Sequence, residues 1–258
     1  MADDAPVLVT GGTGMLGSRV VAELVRRGRT VRVLSRRPGA GAAGVERVVG
    51  NLVTGEGIDD ALAGVAVVVH CASEPRKPRR DVEAAARLLI SARRAGVEHL
   101  VYISIVGVDA IPYSYYRAKR KVEELIEAGE VPWTILRTTQ FHPFVALLLD
   151  RMTLGPVTFL PSGTSLQPVD VDEVAARLVD LVEAGPSGRV EDMGGPQVLT
   201  ADEVVASLEQ ATGRRRRTVH VRLPGRSFAA FRAGHQLTPQ HATGRRTFAE
   251  AVARSSDG

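Results

Sequence analysis

Apolar positions along this chain repeat with two periods that take turns. Short apolar runs at residues 7–9, 30–34, 45–49, 65–70, 99–103 and 133–137 have the length of β-strands. Between them the spacing changes to three and four. Leu16, Val20, Val21, Leu24 and Val25 share one helical face. Residues 81–95 place Ala85, Leu88, Leu89 and Ala92 on another, and residues 115–128 place Val122, Leu125 and Ile126 on a third. Strands and helices in alternation predict an α/β fold, a Rossmann-type doubly wound parallel sheet with right-handed crossovers. Past Arg137 the pattern loosens. Residues 167–169 and 190–193 read as short strands, and residues 170–184 and 200–212 as helices. Thr200 with Glu203, and Asp170 with Glu173, have the spacing of capping boxes, which makes these acids caps rather than metal ligands. The basic, weakly periodic stretch 224–258 fits a small lid or a dimer contact.

The first strand runs into Thr10-Gly11-Gly12-Thr13-Gly14-Met15-Leu16-Gly17, which opens the first helix. Strand, glycine turn and helix in this order give a dinucleotide-binding motif its required context. The glycines allow a tight turn, bring backbone N–H groups against a pyrophosphate and let the helix pack on the strand. The helix N-terminus adds the positive end of its dipole. The turn therefore nominates Gly11, Thr13, Gly14, Met15, Leu16 and Gly17 as cofactor contacts.

The second strand ends at Ser35-Arg36-Arg37, and no acid occurs between Arg26 and Val45. NAD sites place Asp or Glu there, about 20 residues past the glycines, to hold the ribose 2′-hydroxyl. Guanidinium groups suit a 2′-phosphate instead. The expected cofactor is NADP(H), with Ser35, Arg36 and Arg37 at its 2′-phosphate.

Bulk properties restrict the remaining choices. The 258 residues, 44% hydrophobic, suffice for one sizeable core with a small appendage. A single cysteine, Cys71, excludes an internal disulfide and fits a cytoplasmic location. No apolar run approaches a membrane span, and the acidic N-terminus is unlike a signal peptide. The net charge of +4 is modest, and the Arg214–Arg217 run lacks interleaved aromatics, so it reads as a solvated turn rather than a nucleic-acid site. No His/Cys/Asp cluster suggests a metal.

Lysine is scarce: Lys77, Lys119 and Lys121 are the three among 33 basic residues. Tyr115 and Lys119 lie one turn apart on a predicted helix. A nearby ammonium favours a phenolate and poises the phenol for proton transfer to a carbonyl oxygen. Ser104, at the end of the strand before this helix, offers a hydroxyl to the same oxygen. Residues 140–144, Gln-Phe-His-Pro-Phe, follow the 133–137 strand and are expected beside the nicotinamide. His142, which precedes a proline, reads as packed or capping rather than as an acid or base.

The TGGTGMLG turn, the strand ending His70-Cys71-Ala72-Ser73, the Ile103-Ser104 strand end and the Tyr115/Lys119 pair resemble the extended and atypical short-chain dehydrogenases/reductases, most of all their NmrA-like NAD(P)H-binding branch. This branch includes quinone and triphenylmethane-dye reductases. The resemblance implies a catalytic triad of Ser104, Tyr115 and Lys119, with Lys119 also at the nicotinamide ribose. It implies cofactor contacts at Asn51, Leu52, Cys71, Ala72, Ser73 and Ile103, and substrate contacts at Val106, Gln140, Phe141 and Phe144. Asn51 stands where many relatives carry Asp. The expected layout is an NADP(H)-binding domain over residues 1–150 and a small substrate or lid region over 151–258. The expected activity is NADP(H)-dependent reduction of a small, largely apolar carbonyl or quinone by a monomer or homodimer. An NmrA-type redox sensor without turnover and an NAD-dependent sugar-nucleotide epimerase are the alternatives, and Arg36 and Arg37 argue against the last.

Overall fold

The computed structural model describes residues 5–39 and 41–256. The acidic start of the chain falls mainly on residues 1–4, outside the described residues, as do the last two residues of the C-terminal stretch. The elements run β1 (Val7–Thr10), α1 (Met15–Arg26), β2 (Val31–Ser35), β3 (Val45–Val49), α2 (Ile58–Leu62), β4 (Val67–His70), α3 (Pro78–Arg94), β5 (His99–Ile105), α4 (Ser114–Glu127) and β6 (Trp133–Thr138). They continue with α5 (His142–Arg151), β7 (Thr153–Leu154), β8 (Val157–Pro161), β9 (Ser165–Leu166), α6 (Val171–Ala184), β10 (Gly188–Arg189), β11 (Leu199–Thr200), α7 (Ala201–Thr212), β12 (Arg217–Val221), α8 (Arg226–Arg232) and α9 (Phe248–Ser256).

The chain divides into two units, each assembled from separated stretches of sequence. The first comprises residues 1–104, 117–136 and 174–190, and the second residues 105–116, 137–173 and 191–258. A seven-stranded parallel sheet in the order β10-β6-β5-β4-β1-β2-β3 is the frame of the first. Its central strands β1 and β4 read as apolar runs because both faces are covered. Side chains alternate across the sheet, so Leu8, Val68 and Leu100 share one face. There they pack with Ala85, Leu88 and Ala92 of α3 and with Val122 and Ile126 of α4. Burial of each large aliphatic side chain contributes about 1.5–3 kcal/mol. Arg27, at the end of α1, reaches Asp180 and Glu183 on α6 at 2.8 and 2.9 Å.

The second unit holds a three-stranded sheet, β12-β8-β7, and a core of Val145, Leu149, Leu160, Val204, Leu208 and Phe248. Several expectations change here. The strand expected at 167–169 does not form: β9 lies just before it, and Val169 contributes only an isolated bridge to Phe141. The strand expected at 190–193 does not form either: β10 ends at Arg189, and Met193 makes only an isolated bridge to Thr138. The Thr200/Glu203 capping box is present in full. Asp170 also caps, accepting from the N–H groups of Asp172 and Glu173 at 2.8 and 3.2 Å. Glu173 does not complete that box: its carboxylate accepts from the backbone N–H groups of Arg245 and Arg246 at 2.9 and 3.1 Å. The C-terminal stretch is more ordered than its composition suggests, because α9 buries Phe248 and Val252.

Candidate active site

The glycine turn is built so that side chains have no room. Gly11 has φ +69°, in the region that favours glycine, and a Cβ on it would stand 2.7 Å from the backbone of Ala72 at the end of β4. A Cβ on Gly17 would collide with the Gly11 carbonyl oxygen, so only glycine lets α1 approach the turn this closely. The Gly14 N–H donates to that same oxygen at 2.9 Å. Gly14 caps α1 without a side-chain hydrogen bond, and the first turn of the helix holds no acid. Its leading N–H groups thus form a cradle for an anion, and this cradle fits a dinucleotide pyrophosphate. Thr13 and Met15 are exposed beside it, while Leu16 is buried under the helix.

At the end of β2 the Ser35 hydroxyl donates to the Arg37 carbonyl at 3.0 Å and accepts from the Arg37 N–H at 3.3 Å. The serine therefore organises the turn that carries the two arginines. Both guanidinium groups are exposed and, among the described residues, have no acidic partner. Asn51 uses its carbonyl oxygen locally, accepting from the Val53 N–H at 3.0 Å, and Leu52 packs partly on the core. Cys71 and Ala72 return their N–H groups to Thr10, at its carbonyl (3.1 Å) and its hydroxyl (3.4 Å). The Ser73 hydroxyl donates to Asp81 at 2.7 Å.

Across the strand ends runs a row of buried polar side chains. Register pairs Thr10 with His70 and His70 with Tyr102, so the three stand side by side on one face of the sheet. The His70 Nδ1 shares a 2.7 Å hydrogen bond with the Thr10 hydroxyl, and its ring stacks on Tyr102 with centroids 5.4 Å apart. Lys119 descends from α4 onto this row. Its side chain is 5% exposed. The ammonium donates to the Ile103 carbonyl at 2.9 Å and lies 4.6 Å from the Tyr102 ring centroid. Burial, with the Lys119 charge adding to it, pushes His70 down to about 3, so the imidazole is neutral. Burial pushes the Cys71 thiol up to about 12, against the pull of Lys119.

Ser104 follows Tyr102 by two residues and so points to the same face. It is 2% exposed, and its hydroxyl has no hydrogen-bond partner among the described residues. A buried hydroxyl left unmatched costs free energy, and buried polar groups nearly always find a partner. Ser104 stands one residue past the carbonyl that accepts from Lys119. Residue type and spacing nominate Ser104 and Lys119 but not the row beneath them. His70 drew notice only as part of a strand end, because register is what brings it to Thr10 and Tyr102.

Tyr115 is the second residue of α4, half-buried, on the same helix as Lys119 and one turn before it. It packs in a cluster with Ile105, Val108 and Tyr116. In the second unit Val106 is buried and donates its N–H to the Thr138 carbonyl at 3.0 Å. Gln140 has both ends of its amide engaged, accepting from the Gln167 N–H at 3.0 Å and donating to the Gln236 carbonyl at 3.2 Å. Phe141 caps α5, and Phe144 is exposed. His142 is packed: its Nε2 lies 3.1 Å from the Pro168 carbonyl, its ring meets Phe248 edge-on, and burial lowers its pKa. No group of metal-ligating side chains occurs among the described residues, and no described helix is long and apolar enough to cross a membrane.

A family model described as NAD(P)H-binding matches residues 11–183. The chain is 34% identical over 215 residues to the (4-alkanoyl-5-oxo-2,5-dihydrofuran-3-yl)methyl phosphate reductase of Streptomyces griseus, across 81% of this chain and 74% of that protein. It is 28% identical over 226 residues to the NAD(P)H azoreductase of Xenophilus azovorans, across 84% of this chain and 77% of that protein. Its fold matches an NADPH-dependent quinone oxidoreductase from Escherichia coli with a TM-score of 0.81 at 18% identity, over 96% of this chain and 99% of that one. The chain belongs to the NAD(P)H-binding family and is an NAD(P)H-dependent oxidoreductase.

Proposed function

We propose that the protein uses NADP(H) to reduce a small, largely apolar carbonyl or quinone, with Ser104, Tyr115 and Lys119 as its working groups. The observation that carries this reading is the buried, unpartnered Ser104 hydroxyl one residue past the Ile103 carbonyl that anchors Lys119. The glycine turn and the N-terminus of α1 would hold the pyrophosphate, and Arg36 and Arg37 the 2′-phosphate. Asn51 and Leu52 would flank the adenine, and Cys71, Ala72, Ser73 and Ile103 would line the rest of the cofactor. Bound NADPH supplies the hydride. Ser104 donates its hydroxyl hydrogen bond to the acceptor oxygen and orients it. Tyr115 delivers the proton that balances the hydride, and Lys119 holds the ribose and favours the phenolate left behind. Val106, Gln140, Phe141 and Phe144 would contact the acceptor. The relatives named for an oxo-dihydrofuran, an azo compound and a quinone support a conjugated acceptor, for which hydride goes to the conjugated system and Tyr115 carries less of the barrier.

The test is Ser104→Ala, assayed by nicotinamide absorbance against a panel of ketones and quinones. Loss of one donor to the developing oxyanion lowers turnover by roughly 10²-fold. Thermal stability holds or rises, because an unmatched buried hydroxyl costs about 1–3 kcal/mol. Full activity in Ser104→Ala, or no NADPH oxidation by the wild type with any acceptor, overturns the reading.

A further inference from the structure

Beside its hydrogen bond to the Ile103 carbonyl, the Lys119 ammonium lies against an aromatic ring. This is the ring of Tyr102, 4.6 Å from the ammonium, with the buried His70 ring stacked on it and His70 tied in turn to Thr10. Thr10 is the last residue before the glycine turn. The row thus links the mouth of that turn to the ammonium without leaving the buried face of the sheet. An aromatic face attracts a cation through its quadrupole, and the attraction grows when both are removed from water. His70 occupies its place as a neutral ring, because burial disfavours its charged form and the Lys119 charge adds to that.

We infer that Tyr102 is a positioning residue, whose ring, backed by His70 and Thr10, fixes the Lys119 ammonium in its working place. This rests on the role given to Lys119 under Proposed function. Tyr102 touches neither the acceptor nor the reacting atoms in this scheme; it acts through Lys119. A core tyrosine with no such role would respond to changes in volume, not to changes in the electron density of its ring.

The experiment separates these responses in the full-length protein. Tyr102→Leu lowers kcat and weakens NADPH binding on the order of tenfold, the equivalent of one desolvated ring–ammonium contact, while KM for the acceptor stays within twofold. Tyr102→Phe keeps the ring and recovers most of that loss. If Tyr102→Leu does not fold, phenylalanine analogues bearing one to several ring fluorines, installed at position 102, leave the ring's shape nearly intact and drain its face of electron density. NADPH affinity and kcat then fall stepwise with fluorine count. Lys119→Ala runs in parallel. Damage from Lys119→Ala with no response to Tyr102→Leu or to fluorination overturns the positioning role alone. An undamaged Lys119→Ala overturns the assignment of Lys119 itself, and the positioning role with it.

Discussion

Thr10 and His70, sixty residues apart in sequence, share a buried 2.7 Å hydrogen bond across adjacent parallel strands. The bond uses one ring nitrogen, and the ring itself lies against Tyr102 beside the Lys119 charge. This environment leaves the imidazole no room for a proton. His99, buried at the start of β5 and bonded to Thr134, is likewise held down by burial, to about 4.

Both histidines make the fold sensitive to mild acid. Each is neutral when folded but takes a proton in the unfolded chain below its ordinary value of 6.5. Their contribution to stability is therefore complete above 6.5 and is lost as pH falls toward about 4 for His99 and about 3 for His70. At one pH unit below the ordinary value, His70 alone costs about 1.4 kcal/mol, or roughly 3–6 °C in Tm for a chain of this size. Paired carboxylates such as Glu23 do not enter, because they begin to matter only below 4.5. The check is a series of melts between neutral and mildly acidic buffer, with His70→Gln flattening the profile. A flat wild-type profile removes the neutral, buried His70.

Gly14 and Gly17 separate cofactor binding from folding. Gly14 has φ −83° and ψ 176°, a backbone that any residue adopts, and a Cβ there meets only the Gly11 carbonyl at 3.2 Å. Gly14→Val therefore keeps the fold and places a branched side chain over the cradle, abolishing NADPH binding measured by calorimetry. Gly17→Ala drives a Cβ into the Gly11 carbonyl and costs stability as well as binding. Unimpaired NADPH binding by Gly14→Val excludes this turn as the phosphate site.

Much of the first unit was legible because its elements bury a face. Strand β4 lies within the apolar run that predicts it and is buried throughout, and the face of Leu16, Val20 and Leu24 is buried as a stripe on α1. The second unit was less legible for stated reasons. In α5 the run Phe144-Val145-Ala146-Leu147-Leu148-Leu149 is apolar all round and shows no stripe. Strands β8 and β12 pair across a long separation in sequence, and they leave Phe159, Val219 and Val221 exposed, which erases the inside–outside alternation. In the candidate site, residue type and spacing exposed Ser104 and Lys119. The Thr10–His70–Tyr102 row follows from register, which no local pattern encodes.

Arg36→Ala tests the choice of cofactor. Its guanidinium is exposed and, among the described residues, without an acidic partner, so it stands available to a 2′-phosphate. Arg36→Ala removes a charge-assisted contact and weakens NADPH binding by about 1.5–3 kcal/mol. NADH, which lacks the 2′-phosphate, binds as before. Fluorescence titration of both cofactors measures this directly. Equal affinity of the wild type for NADH and NADPH refutes the NADP(H) assignment.

Tyr115 and its neighbour Tyr116 provide a matched pair for the proton donor. They follow one another on α4 and so point about 100° apart around the helix. Tyr116 is buried against Phe231 and Tyr113, with ring centroids 5.8 and 6.3 Å away, and burial pushes its phenol above the ordinary range. It is a packing residue. Tyr115 is half-buried, with Lys119 one turn on. General acid–base assistance contributes about 10²–10⁴-fold. With a ketone acceptor Tyr115→Phe lowers turnover by that order and leaves NADPH affinity within a few-fold. Lys119→Ala damages both turnover and affinity, while Tyr116→Phe leaves turnover close to the wild type and shows its effect in thermal melts. Equal losses from both tyrosines reassign the acid. Turnover of quinones that survives Tyr115→Phe, beside ketone turnover that does not, locates the difference in the acceptor: a conjugated ring spreads the charge that a lone carbonyl needs the phenol to neutralise.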